Sequence, residues 1–199
     1  MWFRLRRATC RADTGPVIGA DFATVLTRAQ GRDEEAFARL YRDVQPALLR
    51  YLRVIAAEAA EDVAAETWLD VVAGLAGFRG SEEAFRAWLF TIARHRAVDA
   101  SRARDRRPTV PLAGSGAEER LTAPDTADVA AERAATRAVL ALVSALPKDQ
   151  AVIIVLRVVA GLVTHLVARI VGKRPGAVRV AAHRALRRLA AMVDRAGVL

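Results

Sequence analysis

Sulfur is nearly missing from this sequence. Cys10 is the only cysteine in 199 residues. A single thiol excludes an internal disulfide and a thiolate zinc site, and it suits a reducing compartment. Proline and glycine are sparse and uneven, gathering at Pro108, Pro111, Gly114, Gly116 and Pro124. No uncharged apolar run reaches the length of a membrane span. The nearest, AVIIVLRVVAGLVTHLVARIVG, is broken by Arg157 and Arg169, so no direct membrane insertion is expected. Residues 1–20 carry basic side chains without a continuous apolar run behind them. They make a poor secretory signal and read as a loose leader or an upstream start-site extension. Acidic residues are short as well, 22 against 31 Lys and Arg, which leaves a net charge of +9. A basic chain of this kind points to a polyanionic partner, nucleic acid before a membrane surface.

Catalytic chemistry is also absent. His165 and His183 lie far apart in sequence without ligand spacing, so no metal is expected. GKRPG at 172–176 is not a phosphate loop, because the earlier glycine and the Ser or Thr after Lys173 are missing. No nucleophile–base pair is recognisable. These gaps argue against an enzyme, a cofactor or a small-molecule substrate.

What is present reads as helix. Ala, Leu, Arg and Glu dominate, and β-branched runs are short. Phe37, Leu40, Tyr41, Val44, Leu48 and Leu52 recur at helical spacing, with Pro46 implying a kink or a helix start nearby. A second helix is expected over 59–75, with Val63, Thr67, Val71 and Leu75 on one face and Gly74 and Gly77 at its end. Ser81 is placed to cap a third helix, with Glu82 and Glu83 in its first turn and Phe85, Trp88, Leu89, Ile92 and Val98 along it. Residues 107–128 lose periodicity and read as a flexible linker. Beyond it 130–146 is expected to be helical, Pro147 starts another element, and two short helices follow around Gly172. The expected fold is all-α, with two small helical domains at 21–106 and 129–199.

The last stretch, GLVTHLVARIVGKRPGAVRVAAHRALRRLAAM, carries a helix-turn-helix pattern. Pro175 suits the first turn of the second helix. Val178, Ala182, Leu186, Leu189 and Val193 form an apolar stripe; Arg179, His183 and Arg187 form a polar one, with Arg184 and Arg188 beside it. One face can pack on its domain while the other enters a major groove, where arginine reads guanine edges and clamps phosphates. A solvated amphipathic surface helix would show the same stripes.

Several motifs in order resemble the sigma-70 family of bacterial RNA polymerase sigma factors, the first half its region 2 and the second its region 4. AEDVAAETWLDV resembles the family's Asp-x-x-Gln-Glu-x-Phe helix, with Asp62, Glu66 and Trp68 in place. FRG at 78–80, then Phe85, Trp88, Leu89, Ile92, Arg94, Asp99 and Arg102, follow the family pattern. LPKDQ at 146–150 resembles the opening of region 4, and GKRPGAVRVAAHRALRRL its recognition helix. With only a linker between the halves, the chain resembles the extracytoplasmic-function (ECF) group.

The resemblance implies a cytoplasmic protein that binds core RNA polymerase and promoter DNA, with an anti-sigma factor as a partner able to hold it at the membrane. It implies polymerase docking through Asp62, Glu66, Trp68 and Asp70. It implies capture of the melted −10 strand by Trp88, Arg94, His95, Arg96, Asp99 and Arg102. For the −35 duplex it implies Lys173, Arg174, Arg179, Val180, His183, Arg184 and Arg187. This sequence departs from the pattern at Ala65, where Gln is usual, at Val167, where a small Ala usually faces the recognition helix, and at Thr164 and His165, which replace acidic positions. Two other classes compete with this reading. A stand-alone helix-turn-helix repressor needs no strand-capturing domain, and a basic membrane-surface protein leaves the two apolar cores unexplained.

Overall fold

The computed structural model describes residues 18–106 and 141–195, and the described residues form helices and turns with no strand. A single 3-10 turn at Gly19–Asp21 leads into α1 (Phe22–Gln30). The expected leader thus ends in packed chain, since Ile18 is buried and the Gly19 amide donates to Glu82 at 2.8 Å. The rest of the leader, the linker and the stretch 129–140 lie outside the described residues.

Helix α2 (Glu34–Ala56) starts where Asp33 accepts a hydrogen bond from the Ala36 amide at 3.0 Å. It runs unbroken through Pro46. The proline and Arg42, whose carbonyl loses its helical partner, are both exposed residues. The inner face is Leu40, Val44, Leu48 and Leu52, all fully buried. A 3-10 turn, Ala57–Ala59, joins α2 to α3 (Ala60–Leu75), where Val63, Thr67, Val71 and Leu75 are buried as their spacing requires. The Gln30 side chain donates to the carbonyls of Leu75 and Phe78 at 3.0 and 2.8 Å, tying α1 to the end of α3. Ser81 Oγ accepts from the Ala84 amide at the start of α4 (Glu82–Arg106).

One charged cluster lies inside this bundle. Arg86 of α4, 8% exposed, donates to Asp43 of α2 at 2.5 Å and to Glu82 at 3.3 Å. Asp43 Oδ1 has no hydrogen-bond partner, and burial pushes its carboxyl up to about 6 in spite of the guanidinium.

In the second half, residues 141–144 are helical and Pro147 precedes α5 (Lys148–Ile154). A π-helical turn, Val155–Val159, turns Arg157 outward while Val155 and Leu156 stay buried. Helix α6 (Thr164–Val171) ends at Gly172, whose φ of 67° is the left-handed conformation that glycine takes without a Cβ penalty. Helix α7 (Pro175–Arg195) begins at the expected proline but is long rather than short. Its buried residues are Val178, Ala182 and Ala185; Leu186, expected on the inner stripe, is 52% exposed. The turn of the helix brings residue 185, not 186, over the core at that level.

Both helical halves are present, but they do not stand apart. Helix α2 packs on α5 and the π turn, and α4 packs on α6. One cluster of buried apolar residues continues from Leu40 and Phe90 through Ile153 and Leu156 to Val178.

Candidate polymerase and nucleic-acid interfaces

Helix α3 divides its residues cleanly. Asp62, Ala65 and Glu66 are exposed, and Asp70 is half-buried. Trp68, which the resemblance puts among the docking side chains, points inward. It is 6% exposed, donates from Nε1 to Gln45 at 2.7 Å, and packs on Phe37 and Tyr41 with centroids 5.8 and 4.9 Å away. A bulky ring one position past the buried Thr67 completes the inner stripe. Two residues that sequence reasoning missed lie outside that stripe: Leu69 and Val72 are 70% and 55% exposed. Their signal was available, since both are apolar positions that the 63–67–71–75 stripe does not use.

The six side chains expected at the melted strand do not converge; α4 sends them in four directions. Trp88 stacks on Phe78 with centroids 5.1 Å apart and lies over Gly74, where a Cβ would stand 2.8 Å from its ring. Only glycine at 74 leaves room for that ring position. Arg96 turns to α3 and grips Asp70 bidentately at 2.5 and 2.6 Å, with Glu66 3.9 Å away. That bond holds the Asp70 carboxyl below the usual carboxylate range. The face expected at the promoter strand and the face expected at polymerase are therefore tied together. Arg94 and Arg102 face the second half of the molecule. His95 projects into solvent, and the exposed Asp99 lies 4.0 Å from Arg102.

Helix α7 is more uniform. Arg174, Arg179, Val180, His183, Arg184 and Arg187 are all exposed, and those on the helix lie opposite Val178, Ala182 and Ala185. Lys173 pairs with Asp149 at 2.6 Å, and Arg188 donates to Gln150 at 3.1 Å, fixing the start and middle of α7 to α5. Val167 is fully buried beneath α7, so the larger side chain is accommodated in the core; Thr164 is half-buried and His165 exposed.

Residues 37–107 match the Sigma-70 region 2 family and residues 136–189 match Sigma-70, region 4. The chain is 35% identical to the ECF RNA polymerase sigma factor ShbA of Streptomyces griseus over 93% of its own length and all of that protein's. The chain belongs to the ECF sigma factors. The ECF RNA polymerase sigma factor SigD of Mycobacterium tuberculosis is 34% identical over 90% of this chain and 87% of its own.

Two solved structures share the fold of this sigma factor. CnrH in complex with the cytosolic domain of CnrY matches with a TM-score of 0.56 and 22% identity, over 86% of this chain and 96% of that one. RpoE in complex with the anti-sigma factor NepR from Bartonella quintana matches at 0.55 and 24%, over 79% and 96%. As an ECF sigma factor the protein is a DNA-binding transcription initiation factor that directs RNA polymerase to promoters, a regulatory rather than a catalytic role. No helix among the described residues is long and apolar enough to cross a membrane.

Proposed function

We propose that this sigma factor docks on core RNA polymerase through the exposed side of α3, with Asp62, Glu66 and Asp70 as its acidic part and Leu69 and Val72 as its apolar part. The second half reads the −35 element as duplex through Lys173, Arg174, Arg179, Val180, His183, Arg184 and Arg187. The end of α4 takes the −10 element as melted strand through His95, Asp99, Arg94 and Arg102, with Trp88 and Arg96 shaping the surface. The observation that carries this reading is the continuous row of exposed basic residues on α7, opposite a helix face that is buried. Duplex readout needs such a rigid face, whereas single-strand capture needs side chains around an unstacked base.

An anti-sigma factor is the partner proposed to restrain the protein, by analogy with RpoE and NepR. The protein is then cytoplasmic, with the restraining partner able to hold it at a membrane.

Run-off transcription with core polymerase on a library of −35 and −10 variants tests the reading. Replacing an arginine of α7 that reads a base costs about 1–3 kcal/mol at one promoter position, whereas a phosphate contact weakens all sequences alike. Unchanged promoter selection and affinity in both Arg179→Ala and Arg184→Ala would remove α7 from the −35 contact. A stand-alone repressor would bind its site without polymerase and would not retain core polymerase in a pull-down.

A further inference from the structure

Among the described residues, the seam between the halves gathers far more positive charge than negative. Ile55 of α2 and Val98 of α4 meet Val152 of α5 and Val171 of α6 around a cleft of about 270 Å³. Its polar lining is Arg94, Ser101 and Arg102 from one half, and Lys148, Asp149 and Lys173 from the other. A second cleft, of about 390 Å³, shares Ser101 and Lys148 with the first and adds Arg53, Arg104 and Ser144.

Among the described residues, the cations across the two clefts are Arg53, Arg94, Arg102, Arg104, Lys148 and Lys173, against one carboxylate, Asp149. Lys173 already engages that carboxylate at 2.6 Å and, with Arg94 farther off, holds it below the usual carboxylate range. Arg102 has only an exposed contact with Asp99 at 4.0 Å. None of these six cations forms an ion pair across the seam with another described residue. Docking therefore gathers like charges from both halves, a cost set against apolar contact and the attraction of Arg94 to Asp149.

We propose that the seam is a binding site for a multivalent phosphate anion, a linear di- or triphosphate, free or carried by a nucleotide. Guanidinium and ammonium groups with two hydroxyls form a donor-rich lining suited to phosphate oxygens. The adjoining clefts suit an elongated anion better than a single phosphate. No aromatic ring among the described residues lines either cleft, so the phosphate chain rather than a base sets the affinity. Because both halves supply cations, the anion binds the docked arrangement and stabilises it. One consequence rests on the proposed function: Arg94 and Arg102 would be engaged by the anion and withheld from the promoter strand. The site itself does not depend on that reading.

The test is titration calorimetry of the full chain at low salt with sodium tripolyphosphate, ATP and orthophosphate. Tripolyphosphate is expected to bind one site, at least about tenfold tighter than orthophosphate. Equal affinity for ATP assigns the phosphate chain as the ligand, and tighter binding of ATP assigns a nucleotide. Lys148→Ala and Arg104→Ala should each weaken tripolyphosphate about tenfold, while Arg157→Ala and Arg195→Ala leave it unchanged. Tripolyphosphate should also slow hydrogen exchange across α5 in the unmodified protein. Equal weakening by all four substitutions, or binding without protection of α5, would overturn the site and leave only a basic surface. Neither measurement uses polymerase or DNA, so a failure here is distinct from a failure of the proposed function.

Discussion

His95 projects from the exposed side of α4 while Arg94 turns to the seam and Arg96 to α3. An imidazole can donate from one nitrogen and accept at the other, so it can discriminate hydrogen-bonding edges that stacking alone cannot. His95→Ala is expected to change which −10 base is preferred while duplex −35 binding persists. Transcription from a −10 library with permanganate footprinting measures this, and an unchanged base preference with normal opening returns His95 to a solvated helix residue. At Asp43 the prediction concerns stability. Its folded pKa is raised from 3.8 to about 6, so the fold binds its proton more tightly than the unfolded chain does. That contribution is fully present below about pH 4 and is lost as pH rises through about 6. Asp43→Asn should flatten this slope, read as denaturation midpoints at about pH 4.5 and about pH 6.5. Arg86→Met, which strands the buried carboxylate, should cost about 3–5 kcal/mol.

Helix α3 is the element whose two sides make separable demands. Its inner side needs Val63, Thr67, Trp68, Val71 and Leu75, all buried. Its outer side presents Asp62, Glu66, Leu69 and Val72, all exposed, with Glu66 in a loose ion pair to Arg96 at 3.9 Å. Charge reversal at Asp62 and Glu66 is expected to abolish retention of core polymerase with thermal stability nearly unchanged. Loss of helicity by circular dichroism would instead make those carboxylates structural. Trp68→Ala should behave in the opposite way, costing about 3–5 kcal/mol of stability because it removes a buried ring. Helix α3 was legible because its inner stripe repeats at helical spacing. The inward turn of Trp68 is not legible in the sequence, because a family motif fixes a residue's position along the chain and says nothing about which way its ring points. The partners that turn it inward, Gln45 and Tyr41, lie on another helix.

At the scale of the molecule, two helical halves were expected and two were found, but their docking left no trace in local periodicity. The apolar residues of the seam, Ile55, Val98, Val152 and Val171, look like ordinary core or surface positions of separate helices. Brief trypsin treatment is expected to cut between Arg102 and Arg133, where the sequence is rich in Pro, Gly and arginine. On a denaturing gel two fragments should appear. In gel filtration they should travel together, because apolar surface from both is buried between them. A single uncut core would contradict the two-domain organisation, and fragments that separate at once would contradict the shared core.

The sequence alone determined the helical class, the inner stripes of α2 and α3, the Gly172 turn, and the basic row of α7. Each depends on neighbours within a turn or two, or on the backbone freedom of one residue, which a linear pattern records. Tertiary structure alone decided that Trp68 faces inward, that Arg96 is held by Asp70, and that Leu69 and Val72 are left outside. It also decided that Arg94 and Arg102 share a seam with Lys148 and Lys173. Those facts depend on which helices pack together and at what rotation. Those choices come from the summed burial of many distant side chains, and no single segment encodes them.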